Sequence, residues 1–147
     1  MNILIISPGK KHEPNLAELI AEYEKRLSGT YNIEWKFISP GTLEQESTAI
    51  VKTIGKVDYV ILLDERGKSL TSEGFAQAIQ KAIMQSVKRI VFVIGGAYGV
   101  DETVRAAAQL TLSLSAMVMP HRFVRLMLVE QIYRAADISR GGKYHHA

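Results

Sequence analysis

The sequence predicts an α/β domain with a mostly parallel sheet and helices on both faces, and three observations carry that expectation. Short apolar runs rich in Ile and Val alternate along the chain with stretches of helical period. The strongest runs, Asp58–Asp64 and Arg89–Ile94, are apolar at nearly every position, as strands buried on both faces must be. Glycine, proline or acidic turns separate these runs from the helical patterns that follow. The 147 residues are read as a single domain, 1–147, able to bury roughly two-thirds of its unfolded surface.

Asn2–Ser7 reads as a first buried strand, ended by the turn Ser7-Pro8-Gly9-Lys10-Lys11. A helix starts at Pro14, since proline is tolerated in a first turn. Its apolar face is Leu16, Leu19, Ile20, Tyr23 and Leu27, and Glu22 with Arg26 forms an i,i+4 pair. Ile33–Ser39 alternates apolar with polar residues, as a half-buried strand near an edge does. Leu43–Ile54 is a weaker helix stopped by Gly55. The strand Asp58–Asp64 runs into Asp64-Glu65-Arg66-Gly67. Thr71 caps a third helix with Glu73 in its first turn, and Phe75, Ala78, Ile79, Ala82 and Ile83 form its inner face. Arg89–Ile94 ends at Gly95-Gly96, a short helix spans Asp101–Ala108, and Leu110–Ser115 alternates as a strand.

The run Ala116-Met117-Val118-Met119-Pro120 is neither strand nor helix, and Pro120 forces Met119 out of the helical region. An apolar loop leaves backbone amides and carbonyls needing partners other than water. We read it as a surface on which a ligand sits. The last helix, Arg122–Ile138, carries Phe123, Leu126, Met127, Leu128, Val129, Ile132, Tyr133, Ala135 and Ala136, leaving only a thin polar stripe. A helix apolar on nearly all sides needs several covers. In so short a chain, one of them is a second copy, which predicts a homodimer.

Composition narrows the function. There is no cysteine, hence neither disulfide nor thiolate chemistry. The N-terminal apolar run is too short for a signal sequence, and no stretch approaches a membrane span. A cytoplasmic protein without a membrane partner is expected. The net charge of +3 is mild, but from His121 onward five Arg or Lys face two acids, with His145 and His146 added. The adjacent His145-His146 pair lacks metal-ligand spacing, so no metal is expected.

In open parallel sheets, ligands bind beyond the carboxyl ends of the strands. Three such ends stand out: Leu63–Gly67, Gly95–Gly99 and Leu114–Met119. Gly95 and Gly96 either admit a ligand close to the backbone or let the chain turn. A dinucleotide-binding oxidoreductase is the rival reading. It lacks the G-x-G-x-x-G order, because Ile94 holds the first position, and it lacks the later acidic residue. A non-catalytic ribosome-binding module is the other alternative.

Val60–Asp64 with Gly67-Lys68, Phe92–Gly96 with Gly99, Leu112–Met117 closing on Pro120-His121, and Glu130–Ala135 before Arg140-Gly141 and Tyr144-His145 together resemble a known family. It comprises the SPOUT-class methyltransferases that modify N3 of a pseudouridine in bacterial large-subunit ribosomal RNA. The resemblance runs from Asn2 to His145. It implies a C-terminal trefoil knot, S-adenosylmethionine as methyl donor, an obligate homodimer, and the ribosomal RNA of the large subunit, in an assembled ribosome, as partner. It also implies cofactor contacts at Leu63, Gly95, with Gly96 beside it, and Leu114, Ser115, Ala116, Met117, Val118 and Met119. Val118 stands where the family often has threonine, which removes a hydroxyl and keeps the backbone groups.

Methyl transfer to an imide nitrogen needs in-line placement, loss of the N3 proton and compensation of developing negative charge. The basic tail is read as supplying the last two. His145 accepts or relays the proton, Arg140 steadies the imide anion, and Tyr144 stacks on or orients the base. His121 is open to two readings, an alternative proton acceptor or a helix-start residue bonded to backbone. Glu130 and Arg134 are expected to pair, and Arg122 and Arg125 to hold phosphate or the partner subunit.

Overall fold

A computed structural model describes residues 1–146; Ala147 lies outside the described residues. Five strands and five helices alternate: β1 (Asn2–Pro8), α1 (Pro14–Leu27), β2 (Asn32–Ile38), α2 (Leu43–Thr53), β3 (Asp58–Ser69), α3 (Ser72–Ile83), β4 (Arg89–Ile94), α4 (Glu102–Ala107), β5 (Leu110–Ser113) and α5 (His121–Ser139). The strands form one sheet in the order β2-β1-β4-β3-β5, and every neighbouring pair is parallel.

Side chains alternate across a strand, so each strand feeds two cores. On one face Ile3, Ile5, Ile61, Ile90 and Phe92 pack against Ile20 of α1, Ile79 of α3 and Leu128 and Ile132 of α5. On the other, Leu4, Ile6, Val60, Val91 and Val93 pack against Ile50 of α2 and Val104 of α4. Helices therefore cover both faces, as the near-continuous apolar strands require. Within α1, Ile20 and Leu27 are buried, whereas Leu19, expected on the inner face, is exposed. In α3 the buried alanine after Phe75 is Ala76.

Local chemistry sets the helix ends. Thr42 and Gln45 close a reciprocal capping box at α2. Thr71 accepts from the Gly74 amide at α3, and Asp101 accepts from the amides of Thr103 and Val104 at α4. Helix α5 ends in a Schellman turn. Gly141 adopts φ +74°, the Gly142 amide donates to the Asp137 carbonyl at 2.9 Å, and the Gly141 amide donates to Ile138 at 3.1 Å.

Two boundaries differ from the sequence expectation by more than one residue. Strand β5 stops at Ser113 rather than Ser115. Strand β3 continues past Asp64 to Ser69, and Leu112 of β5 lies opposite both Leu63 and Lys68. Residues 64–67 therefore bulge out of the ladder, toward the carboxyl end of the sheet. Gly67 permits the strand to rejoin, because a Cβ there would stand 2.8 Å from the Thr111 carbonyl. Periodicity could not reveal the second half of β3, since polar residues follow Asp64 without alternation.

Helix α3 leaves β3 on one face of the sheet, and α4 leaves β4 on the other. The adjacent ends of β3 and β4 thus open a crevice between diverging chains, where ligands settle in parallel sheets. Among the described residues, no helix is long and apolar enough to cross a membrane.

Candidate active site

A cavity of about 730 Å³ fills that crevice. Its walls are the three strand ends singled out by sequence: Leu62–Arg66, Ile94–Val100, and Leu114, Ser115 and Met117–His121, with Val124 of α5 behind. The size is within the range of small-molecule sites. Of the residues read as cofactor contacts, Leu63, Gly95, Gly96, Leu114, Ser115, Met117, Val118 and Met119 line it; Ala116 is exposed and does not.

The third wall is the apolar loop. The Ser113 hydroxyl donates to the Ser115 carbonyl at 2.9 Å, and the Met117 amide donates to the Ser115 hydroxyl at 3.0 Å. These bonds hold the loop open without packing it into the core. Met117 and Val118 remain 77% and 79% exposed, and Tyr98 on the opposite wall is 87% exposed. Large apolar side chains around a concavity mark a surface meant to be covered.

The two glycines have internal reasons as well. A Cβ on Gly95 would stand 3.2 Å from the Gly99 backbone, and one on Gly96 would stand 2.5 Å from a Glu46 carboxylate oxygen. Gly99 itself takes φ +76°. The turn is thus tight on its protein side, and its other side faces the cavity.

Charge sits at the far wall. Asp64 accepts from the Arg66 amide at 2.9 Å and pairs with Arg66 at 3.3 Å and Arg105 at 3.2 Å. Partial burial works to raise its pKa, but hydrogen bonds from Arg66 and the charges of both arginines carry the net shift downward. Two guanidiniums thus already match the Asp64 charge, and the wall is a closed ion network.

The tail is folded back along its own helix. Asp137, 3% exposed, pairs with Arg140 at 2.9 Å and accepts from the Tyr144 amide at 2.8 Å. The Tyr144 hydroxyl donates to Glu130 at 3.1 Å and lies 3.3 Å from the Tyr23 hydroxyl. Burial, then hydrogen bonds to Tyr23 and Glu130 and the Glu130 charge, push its pKa well above the usual phenol range. Arg134 bonds Glu130, as the i,i+4 spacing suggests, and also reaches His145 Nδ1 at 3.0 Å. His145 Nε2 lies 2.8 Å from Glu73. A guanidinium can only donate, so Nδ1 is the acceptor and Nε2 carries the proton toward Glu73. As held, His145 has no free lone pair. None of Arg140, Tyr144 and His145 lines the cavity of the same chain.

One expectation about a basic residue is corrected. Arg125 is 3% exposed, and its guanidinium donates to Ser7 Oγ at 2.8 Å and to the carbonyls of Pro8 at 2.6 Å and Lys10 at 3.0 Å. It also lies 4.9 Å from the Phe37 ring centroid. It clamps the turn after β1 and cannot reach a phosphate. Arg122 is exposed but paired with Glu13 at 2.6 Å. Sequence reasoning passed over two residues behind the cavity wall, Glu46 against Gly96 and Arg105 on Asp64. No spacing announces them, because they come from separate helices.

Comparison with known proteins now bears on the reading. Residues 1–145 match the family described as "Predicted SPOUT methyltransferase". The chain is 40% identical over 156 residues to the Flavobacterium johnsoniae protein named "Ribosomal RNA large subunit methyltransferase H", with 99% of each covered. It is also 40% identical to the Prochlorococcus marinus (strain MIT 9303) protein of that name, covering 96% of this chain and 90% of that one. The Leuconostoc mesenteroides protein of the same name is 38% identical, with 99% of each covered. These matches do not favour an oxidoreductase or a non-catalytic module. With an all-parallel sheet and a cavity at its carboxyl edge already in place, the match over nearly the whole length settles the class: this chain belongs to the SPOUT methyltransferase family.

Proposed function

We propose that the protein transfers a methyl group from S-adenosylmethionine to N3 of a pseudouridine in large-subunit ribosomal RNA. The observation that carries this reading is the cavity. Its residues fit such a donor: apolar side chains and open backbone from Leu114, Ser115 and Met117–Met119 for an adenine and a methylthio group, with Asp64 opposite. Bound there, the donor supplies a sulfonium methyl group. The apolar loop then serves catalysis, because it does not stabilise the positively charged ground state more than the neutral product. The names of the relatives support ribosomal RNA as the acceptor.

The acceptor side is incomplete in one chain, which supports a homodimer whose partner brings its tail to the cavity. Phe123 and Met127, 44% and 43% exposed on successive turns of α5, extend the apolar rim and are read as part of that contact. In this arrangement Arg140 steadies the imide anion and Tyr144 orients the base. His145, once Arg134 lets go of Nδ1, accepts or relays the proton. A trefoil knot is part of the same reading: the chain leaves edge strand β5 and returns to place α5 between α1 and α3, consistent with threading at the Leu114–Pro120 loop. An assembled ribosome in the cytoplasm is the proposed working substrate and place.

Mass spectrometry of ribosomal RNA nucleosides from cells with and without the gene tests the reaction. N3-methylpseudouridine should vanish on deletion and return with the gene. Calorimetry should show binding of S-adenosylmethionine and its demethylated product; binding of a nicotinamide dinucleotide instead would overturn the reading.

A further inference from the structure

We infer that His121 is the group that first takes the N3 proton, which leaves His145 as a relay or RNA contact. This deepens the proposed methyl transfer and rests on it. His145 is poorly placed for the first step in the folded-back tail, since Arg134 occupies one ring nitrogen and Glu73 fixes the proton on the other. His121 belongs to the cavity wall itself, between Pro120 and the first turn of α5. It therefore reaches the cavity without any movement of the tail.

The surroundings of His121 favour a neutral ring. Its Nε2 stands 3.4 Å from where a Cβ on Gly9 would be, beside an Arg125 Nη2 equally close to the same point. Gly9 takes φ +97°, and Arg125 locks its turn, so the Nε2 edge of the ring lies against a fixed turn while the rest of the side chain stays exposed. The groups facing the ring are Arg122 and Arg125 on its own helix and Glu46 on α2. Burial first, then the Arg125 charge, hold the imidazole pKa below its ordinary 6.5, with Glu46 opposing and Arg122 adding a little. A neutral imidazole near pH 7 has a lone pair to offer. Glu46, tied to the Gly41 amide at 3.1 Å, stands on the Gly96 side and is placed to steady the imidazolium once formed.

The step balances. The N3–H proton passes to the ring nitrogen, and its electron pair stays on N3. That pair forms the N–CH3 bond while the C–S bond breaks and its electrons return to sulfur. The imidazolium then gives its proton to water or to His145.

The test compares single-turnover methylation of ribosomal RNA by the wild-type protein, His121→Gln and His121→Asn across pH. Loss of a general base is expected to slow the step about 100-fold or more near pH 7. Both variants should still bind S-adenosylmethionine by calorimetry and keep wild-type thermal unfolding. The wild-type rate should fall on the acid side as His121 protonates. The variants should lose that limb and recover with rising pH as N3 ionises unaided. A variant rate equal to wild type at neutral pH, or a deficit that is the same at every pH, would overturn the assignment. If wild-type protein itself transfers no methyl group, the underlying reaction is what fails.

Discussion

A single buried cation illustrates how context decides a residue's task. Among the described residues Arg125 has no carboxylate partner, yet three neutral acceptors and an aromatic face satisfy it. Shortening it would leave the Pro8 and Lys10 carbonyls without their donor. Arg125→Ala should therefore lower unfolding free energy by about 2 kcal/mol or more in urea titrations, the cost of orphaned buried acceptors. An unchanged midpoint would mean that the turn after β1 does not depend on the clamp. The same substitution frees the floor beneath His121, so its unfolding and its catalysis should decline together.

At the scale of elements, α5 and the tail form one unit. The Schellman turn reverses the chain, and Asp137 catches both Arg140 and the Tyr144 amide after the reversal. Gly141 is the pivot, because φ +74° strains any residue bearing a Cβ. Gly141→Ala should cost about 1 kcal/mol of stability. It should also loosen the Tyr144 and His145 contacts, seen as faster trimming of the tail by carboxypeptidase. Equal trimming rates would show that the side-chain bonds to Glu130 and Glu73 suffice alone. The β3 bulge is the other decisive element. It moves Asp64–Arg66 out of the ladder and into the cavity wall, a displacement that a plain strand end would not achieve.

The whole molecule poses a geometric problem. Its cavity and its basic tail lie apart in one chain, and apolar side chains rim the cavity without cover. A dimer that lends its tail across the interface predicts complementation. Val118→Asp should abolish donor binding, and His145→Ala should impair the acceptor side. Mixed in equal amounts after unfolding and refolding together, the two inactive proteins should regain about a quarter of wild-type activity, since half the dimers are mixed and each holds one intact site. No recovery, with mixed dimers demonstrated by native mass spectrometry, would place pocket and tail in the same chain.

Much of this was legible in the residues alone. Alternating apolar runs and helical periods placed all ten elements, because burial on a sheet or helix face imposes a period of two or 3.6. The three strand ends that line the cavity were legible too, since an apolar, proline-closed loop beside a Gly-Gly turn is unlike an ordinary polar surface connection. Only the tertiary structure set Glu46 and Arg105 behind the walls of the crevice that His121 lines, buried Arg125 and locked the lone pair of His145. Those outcomes depend on contacts between residues tens of positions apart, whose direction no local period encodes. Pattern determines which face of an element must be covered; packing alone decides what covers it.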